Sequence, residues 1–425
     1  MLDAVRIRQR LPPAPRTRGN RDMTKLARST QTGTRWLIAA GSLVIVGGLL
    51  AACSASPQAA PSSAPSIQVA RPDAPQGTLP ADLQAKLQEA VDDTLAEYSV
   101  PATAVGVWIP GQGSWETAAG LADIANNIPA STDMSWPLRS ITKSYTVTLI
   151  LQLVDEGKVS LDDTISQYVD GVTDGDKITL RELANMSSGN ADYTNADFGA
   201  AFEQDPTKIF TIDELNSFML GKPAQFAPGT EKVYTNANTN LLGAVVEKVT
   251  GEDFATALDE RILTPLAQSQ TEYLVDVDRW TAPHPVGYQP GPDGPVAQTQ
   301  NLSILGAAGS MFSTLDDTRV WAETLATGAL LQPATQEERE IGAPLESGPP
   351  YDLYALGIGE TDGWWGHNGE GIGFTAAAFH NPETGASIVV FMNESNVFVN
   401  ESEDEGKAHP ADQLFRRIAE ILKTT

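Results

Sequence analysis

A serine and a lysine are spaced for nucleophilic catalysis in the segment Ser140-Ile141-Thr142-Lys143. Side chains three residues apart on a helix lie on nearly the same face, so the lysine amine would reach the serine hydroxyl. An amine removed from water loses its proton more easily and can then act as a base. If Ser140 opens a helix, the free backbone N–H groups of the first turn could also stabilise an oxyanion. Alone the motif is weak, because a helix start with a solvent-exposed lysine contains the same residues.

A tyrosine and an asparagine that could assist such a serine occur at Tyr234 and Asn236. A tyrosine facing a lysine could exist partly as phenolate and pass a proton to the leaving group, and the asparagine amide could bind a substrate carbonyl. The same three residue types recur from Tyr193 to Asn195. Tyr234 is favoured because it follows a Pro-Gly turn and precedes a predicted helix, whereas Tyr193 lies in a loop.

A third group, His367-Asn368-Gly369, is followed by Glu370 and a predicted strand. Glycine allows the backbone to approach a ligand closely. A histidine beside the nucleophile could supply a positive charge or a hydrogen bond. A histidine that merely lines a turn is the alternative interpretation.

Composition excludes several other kinds of chemistry. The net charge of −26 argues against nucleic-acid binding, because an acidic body repels phosphate backbones. The four histidines are widely spaced and none pairs with a cysteine in zinc-ligand spacing. We therefore expect neither a metal nor another cofactor.

Apolar periodicity predicts the elements that must position these residues. We expect an α+β fold in which terminal helices cover an antiparallel sheet and a helical subdomain is inserted in the middle of the chain. The helices are predicted at 79–98, from Ser140 onwards, at 241–249 and at 411–423, and the strands at 103–109, 114–119, 374–379 and 387–392.

The N-terminal region has the layout of a secretory signal. Basic residues precede an uncharged apolar run that ends at Cys53, the single cysteine of the chain. The residues Leu50 to Cys53 resemble a bacterial lipobox, in which the cysteine is lipidated. We expect a signal peptide at 1–52, starting at Met1 or Met23, a Pro-, Ala- and Ser-rich tether at 53–77, and a folded body at 78–425. The expected location is the extracellular face of the plasma membrane, with the membrane contacted through the lipid; an uncleaved anchor is the alternative.

The three motifs and their surroundings resemble the serine β-lactamase and D-alanyl-D-alanine carboxypeptidase superfamily, in particular its class C β-lactamase-like members. The likeness covers about residues 80–423. The segments that carry it are 139–144, 151–157, 161–163, 178–183, 187–189, 226–229, 241–243, 306–309, 313–317 and 364–369.

The resemblance implies a role for each matching residue. Ser140 would form an acyl-enzyme, while Lys143 and Tyr234 would move protons. Asn236 would orient the substrate amide. The substrate-binding edge would be formed by the strand that carries His367, Asn368 and Gly369, and the oxyanion would be bound by the backbone N–H groups of Ser140 and Glu370.

Of two departures from the family pattern, the first bears on the substrate and the second is interpreted as a structural variation. Asn368 stands where relatives that bind a substrate carboxylate often have a hydroxyl residue, and Met186-Ser-Ser-Gly189 replaces a common His-Thr-Ser-Gly loop. The leading expectation is a D-Ala-D-Ala carboxypeptidase-type peptidase acting on peptidoglycan stem peptides. An esterase or a β-lactamase that takes a small acyl substrate is the alternative, and a non-catalytic muropeptide-binding surface protein is the remaining one.

Overall fold

The computed structural model describes residues 69–395 and 409–424. The predicted signal peptide, Cys53 and most of the predicted tether lie outside the described residues. Among the described helices, none combines the length and the apolar character needed to cross a bilayer.

Ten α-helices are found in the described part of the chain. They are α1 (Ala81–Tyr98), α2 (Thr142–Asp155), α3 (Leu180–Ala184), α4 (Ala196–Gln204), α5 (Ile212–Ser217), α6 (Asn236–Thr250), α7 (Phe254–Leu258), α8 (Leu315–Thr327), α9 (Pro333–Arg339) and α10 (Pro410–Lys423).

Thirteen strands are found in the same residues. They are β1 (Ala102–Ile109), β2 (Gly113–Asp123), β3 (Ile128–Pro129), β4 (Trp136–Pro137), β5 (Glu272–Tyr273), β6 (Tyr288–Gln289), β7 (Val296–Ala297), β8 (Met311–Ser313), β9 (Leu353–Tyr354), β10 (Gly359–Thr361), β11 (Trp364–Gly371), β12 (Phe374–Asn381) and β13 (Ala386–Met392).

Eight of these strands form one antiparallel sheet in the order β3-β2-β1-β13-β12-β11-β10-β9. The first and last parts of the chain meet at its centre, where Val105 of β1 lies opposite Val390 of β13. On the side of β11 away from β12, strand β10 pairs only with Gly366 and the two residues before it. The C-terminal half of β11 therefore has no contact with β10 through this pairing, and it lies beside the turn that carries Ser140.

Alternate residues of the central strands face two different apolar layers, as expected for a sheet buried on both sides. Ala377 and Val390 face the layer formed with the terminal helices α1 and α10. Ala376 and Phe391 face the layer formed with α8 and the helical region around α2 and α6. The predicted α+β architecture, with terminal helices on an antiparallel sheet, is confirmed.

Several element boundaries differ from the prediction, and two of the differences have a clear physical reason. Helix α1 begins at Ala81 and not at 79, because Pro80 occupies the position before the first turn. Helix α6 begins at Asn236, five residues before the apolar repeat starts. Its first turns are rich in Asn and Thr side chains that are buried and polar, and apolar periodicity does not detect such residues.

Residues that composition assigned to the tether contact the folded body. Arg71 forms ion pairs with Asp316 and Asp317 at 2.6 and 2.8 Å. The carbonyl of Pro72 accepts a hydrogen bond from Arg319 at 3.0 Å. Residues near 70 are therefore anchored to the start of α8.

Candidate active site

Ser140 lies in a single 3₁₀ turn, Arg139–Ile141, that leads directly into α2. Lys143 is therefore one turn further along, and its side chain is completely buried. The Lys143 Nζ donates to Ser140 Oγ at 2.9 Å. The three-residue spacing thus produces the contact that the sequence predicted.

Lys143 is bonded to two further segments. Its Nζ donates to Asn236 Oδ1 at 2.7 Å and to the Ala308 carbonyl at 3.0 Å. An ammonium group has three donors, so these three contacts satisfy it completely. When the group loses a proton, its lone pair can accept the Ser140 hydroxyl proton along the same 2.9 Å contact.

Burial is the main influence on the charge of this lysine. It lowers the pKa of Lys143 to about 7, although the Asp192 carboxylate opposes the shift. Near neutral pH a substantial fraction of the protein therefore carries a neutral amine beside the serine. Such an amine is suited to act as a general base.

Tyr234 packs its ring against the same lysine, with Lys143 Nζ 4.9 Å from the ring centroid. Its hydroxyl is buried and reaches hydrogen-bonding geometry with no group of the described residues. Burial raises the pKa of Tyr234 well above its usual value, and the nearby Ser140 hydroxyl opposes this only in part. The residue is thus a neutral phenol, not the phenolate considered from the sequence, and it can donate a proton.

Asn236 is the first residue of α6 and is oriented by Asp192, which the sequence analysis missed. The Asp192 carboxylate accepts the backbone N–H of Asn236 at 2.8 Å and its Nδ2 at 3.3 Å. Because Nδ2 points to Asp192, Oδ1 is directed to Lys143. Asp192 directly precedes the discounted Tyr193, and no motif marks it.

Tyr193 lies outside the nucleophile network, and its hydroxyl makes a structural hydrogen bond. Its hydroxyl donates to the Ile304 carbonyl at 2.6 Å, and its side chain is completely buried. The choice of Tyr234 over Tyr193 agrees with this arrangement. The Met186-Ser-Ser-Gly189 loop is structural as well, since Ser188 Oγ donates to Asn238 of α6 at 2.7 Å.

His367 lies on the site side of β11 but is enclosed by tyrosines. Its Nδ1 and Nε2 lie 3.2 Å from the hydroxyls of Tyr351 and Tyr354, respectively. Burial lowers the pKa of His367 to about 3, and the charge on Lys143 adds to this effect. The ring is therefore neutral and does not supply the positive charge considered from the sequence. It supports Tyr234, whose ring centroid is 6.2 Å away.

Asn368 points to the opposite face of the sheet. Its Oδ1 accepts from Tyr351 at 2.7 Å and its Nδ2 donates to Asp412 of α10 at 3.3 Å. The structure thus brings Ser140, Lys143, Tyr234 and Asn236 together, but it does not bring the Asn368 side chain to them.

Gly369 and Glu370 lie where β11 meets the nucleophile. A Cβ on Gly369 would lie 2.3 Å from the Leu138 carbonyl oxygen and 3.0 Å from Ser140 N. Only glycine lets the strand approach this closely. The Glu370 side chain turns away and accepts from Ser395 at 3.2 Å, which leaves its backbone as the part beside the site.

Most of the folded chain is similar to known proteins. Residues 87–411 match the family model described as β-lactamase. A D-aminopeptidase from Brucella ovis is 29% identical over 308 residues, covering 70% of this chain and 57% of that protein. The chain thus spans less than two thirds of the length of this curated relative.

Two solved structures share the fold. The D-amino acid amidase from Ochrobactrum anthropi SV3 superposes with a TM-score of 0.70 at 24% identity, covering 81% of this chain and 99% of that one. A D-stereospecific amidohydrolase from Streptomyces superposes with a TM-score of 0.65 at 28% identity, covering 73% of this chain and 94% of that one.

The lowered pKa of Lys143 predicts how the reactivity of Ser140 depends on pH. Below pH 7 the amine is protonated and cannot accept the serine proton. The rate of covalent labelling by a fluorophosphonate should therefore rise with pH through a midpoint of about 7 and then level off. Intact mass, measured over time, gives the rate. Lys143→Met should label far more slowly, and an unchanged midpoint in this variant would contradict the assignment.

The two tyrosines provide a matched pair of variants. Tyr234→Phe should lower kcat by about 100-fold or more, because it removes a proton donor from the reacting groups. Tyr193→Phe removes a hydroxyl of similar burial, together with its hydrogen bond to the Ile304 carbonyl. This variant should lose about 1–2 kcal/mol of stability, while kcat changes by less than about threefold. Steady-state kinetics and urea unfolding distinguish the two. Equal losses of kcat in both variants would rule out a specific role for Tyr234.

Proposed function

Because the chain belongs to the β-lactamase family of serine hydrolases, we propose that it cleaves amide bonds whose acyl part is a D-amino acid residue with a free amino group. The observation that carries this proposal is the Asp192 carboxylate, bonded to Asn236 inside the nucleophile network. The relatives named as a D-aminopeptidase and a D-stereospecific amidohydrolase support it.

The proposed chemistry proceeds through an acyl-enzyme. Neutral Lys143 takes the hydroxyl proton as Ser140 Oγ bonds to the carbonyl carbon, giving a tetrahedral oxyanion. The C–N bond then breaks, and the leaving amine receives a proton from Lys143, with the Tyr234 hydroxyl next to this path. A water molecule attacks the resulting ester, releases the acid and returns the proton to Ser140 Oγ.

Asp192 has the capacity to bind an ammonium group as well as Asn236. A carboxylate offers about four lone-pair positions. In the described structure Asp192 accepts two hydrogen bonds from Asn236 and one from the Thr194 N–H at 3.2 Å. The residue is half-buried, and in the proposed complex its remaining acceptor position would bind the substrate amine. A charge-assisted bond there would favour substrates with a free amine.

Recognition of a substrate carboxylate has less support. Asn368 takes the place of a hydroxyl residue, and its amide is bonded to Tyr351 and Asp412. These contacts favour an aminopeptidase or amidase over the carboxypeptidase expected from the sequence. The D-Ala-D-Ala carboxypeptidase is kept as the second candidate, because it would use the same acyl-enzyme on a D-residue and because Cys53 suits an envelope protein.

The proposed cellular setting rests on the sequence. Cys53 would be lipidated after removal of residues 1–52, so that the enzyme faces outward from the membrane. Peptidoglycan peptides and small acyl compounds would then be within its reach.

Ammonia release from D-alanine amide and L-alanine amide tests the proposal directly. We expect hydrolysis of the D-isomer, slower hydrolysis of the L-isomer, and none by Ser140→Ala. Release of D-Ala from an N-acylated D-Ala-D-Ala peptide, without amidase activity, would establish the carboxypeptidase instead. Exclusive turnover of a cephalosporin or of a short acyl ester would favour the β-lactamase or the esterase.

Asp192→Asn tests the recognition of the amine separately. For D-alanine amide, kcat/KM should fall by about 10- to 100-fold, as expected when a charge-assisted hydrogen bond is lost. For the N-acetylated amide, which has no ammonium group, the value should change by less than about threefold. A similar fall for both substrates would mean that Asp192 acts only by orienting Asn236.

A further inference from the structure

Arg139 directly precedes the nucleophile and has an unusual conformation and environment. Its backbone φ is 50°, in the left-handed region that residues with a side chain rarely adopt. Its side chain is 1% exposed. Strain of this kind persists only where neighbouring contacts fix it, and the guanidinium of Arg139 makes such contacts.

The guanidinium joins three segments. Its Nη2 donates to Gln300 Oε1 at 2.7 Å and lies 3.4 Å from the Ile372 carbonyl oxygen. Gln300 Nε2 donates to the same carbonyl at 3.0 Å. Arg139 and Gln300 therefore both bind the turn between β11 and β12, and they link it to the segment that precedes Ser140.

That turn follows Glu370, whose backbone N–H is the proposed second oxyanion donor. A Cβ on Gly371 would lie 4.0 Å from Arg139 Cδ, and one on Gly369 would lie 3.0 Å from Ser140 N. The position of this strand end relative to Ser140 is thus fixed by Gly369 on one side of Glu370 and by the guanidinium on the other.

No carboxylate within the described residues pairs with the charge of Arg139. Burial lowers the pKa of Arg139 to about 9, and no carboxylate of the described residues offsets this effect. The side chain is therefore still charged at neutral pH, with its guanidinium carbon 5.4 Å from the centre of the Phe374 ring. A buried, unpaired cation is costly, and it is compensated when a negative charge forms nearby.

We propose that Arg139 is a positioning residue for acylation: its hydrogen bonds fix the β11–β12 turn against Ser140, and its buried positive charge stabilises the oxyanion formed there. The proposal rests on the proposed acyl-enzyme at Ser140. It assigns a role in the transition state to a residue outside the three motifs.

Three variants of the full-length protein test it, with Arg339 as the matched control. Arg339 is equally buried and donates to Thr148 and to the Leu356 carbonyl on another side of α2. We expect Arg139→Gln to lower kcat by about 100-fold, as for the loss of one oxyanion donor, with KM changed less than threefold. Arg139→Lys should have a kcat at least tenfold higher than that of Arg139→Gln, because it keeps the positive charge. Arg339→Gln should reduce thermal stability but leave kcat within about threefold.

The affinity of a boronic acid that forms a tetrahedral adduct on Ser140 provides a second measurement. It should fall in parallel with kcat in Arg139→Gln and remain unchanged in Arg339→Gln. The proposal is overturned if Arg139→Gln keeps both values, if Arg339→Gln lowers them equally, or if Arg139→Lys is as impaired as Arg139→Gln. If the wild-type protein itself forms no adduct, the proposed acyl-enzyme fails instead.

Discussion

The burial of one amine is the constraint on which the rest of the site depends. Lys143 can be buried only if each of its protons has an acceptor, and the three acceptors come from separate parts of the chain: Ser140, Asn236 and Ala308. The same burial that requires these partners lowers the pKa to about 7. Burial thereby makes the amine a weaker base, but it leaves a substantial fraction of it neutral, and able to accept a proton, near neutral pH. The fold must therefore bring α2, α6 and the segment before β8 into contact around this amine.

Successive side chains of β11 point to opposite faces of the sheet, so the side chains of the motif His367-Asn368-Gly369 are divided between the two faces. His367 faces the site and supports Tyr234 through neighbouring aromatic rings, whereas Asn368 faces α10 and bonds to Asp412. Gly369 allows the strand to contact the turn before Ser140. The three consecutive residues thus have three different tasks, and only the strand geometry shows which task belongs to which residue.

Local patterns predicted the parts of the site that depend on local geometry. Ser140 and Lys143 are one helical turn apart, and Tyr234 was distinguished from Tyr193 by its turn and the following helix. Contacts between segments that are distant in the sequence could not be predicted in this way. Asp192, Tyr351 and Tyr354 contact the motif residues through the tertiary fold, and no spacing rule identifies them. The first turns of α6 were missed because their buried residues are polar.

Protonation states were the other quantity that the sequence could not supply. A tyrosine near a lysine was considered as a phenolate, and a histidine near a serine as a cation. Burial of both groups favours their neutral forms instead. Desolvation depends on how completely the fold encloses a side chain, which no motif specifies.

The remaining charges suggest how acyl transfer is organised. With Lys143 deprotonated, and Tyr234 and His367 neutral, two charged groups are bonded to segments of the site: Arg139 to the β11–β12 turn, and Asp192 to the start of α6. A tetrahedral intermediate formed from a free amino acid amide has matching charges: an oxyanion at the former carbonyl and an ammonium group on the adjacent carbon. A substrate carboxylate would form no favourable contact with Asp192, because both groups are negatively charged. An N-acylated substrate has no ammonium group, so Asp192 would gain no new partner when that substrate binds. The proposed preference for a free amine thus rests on a cation held at the β11–β12 turn and a carboxylate held at the start of α6.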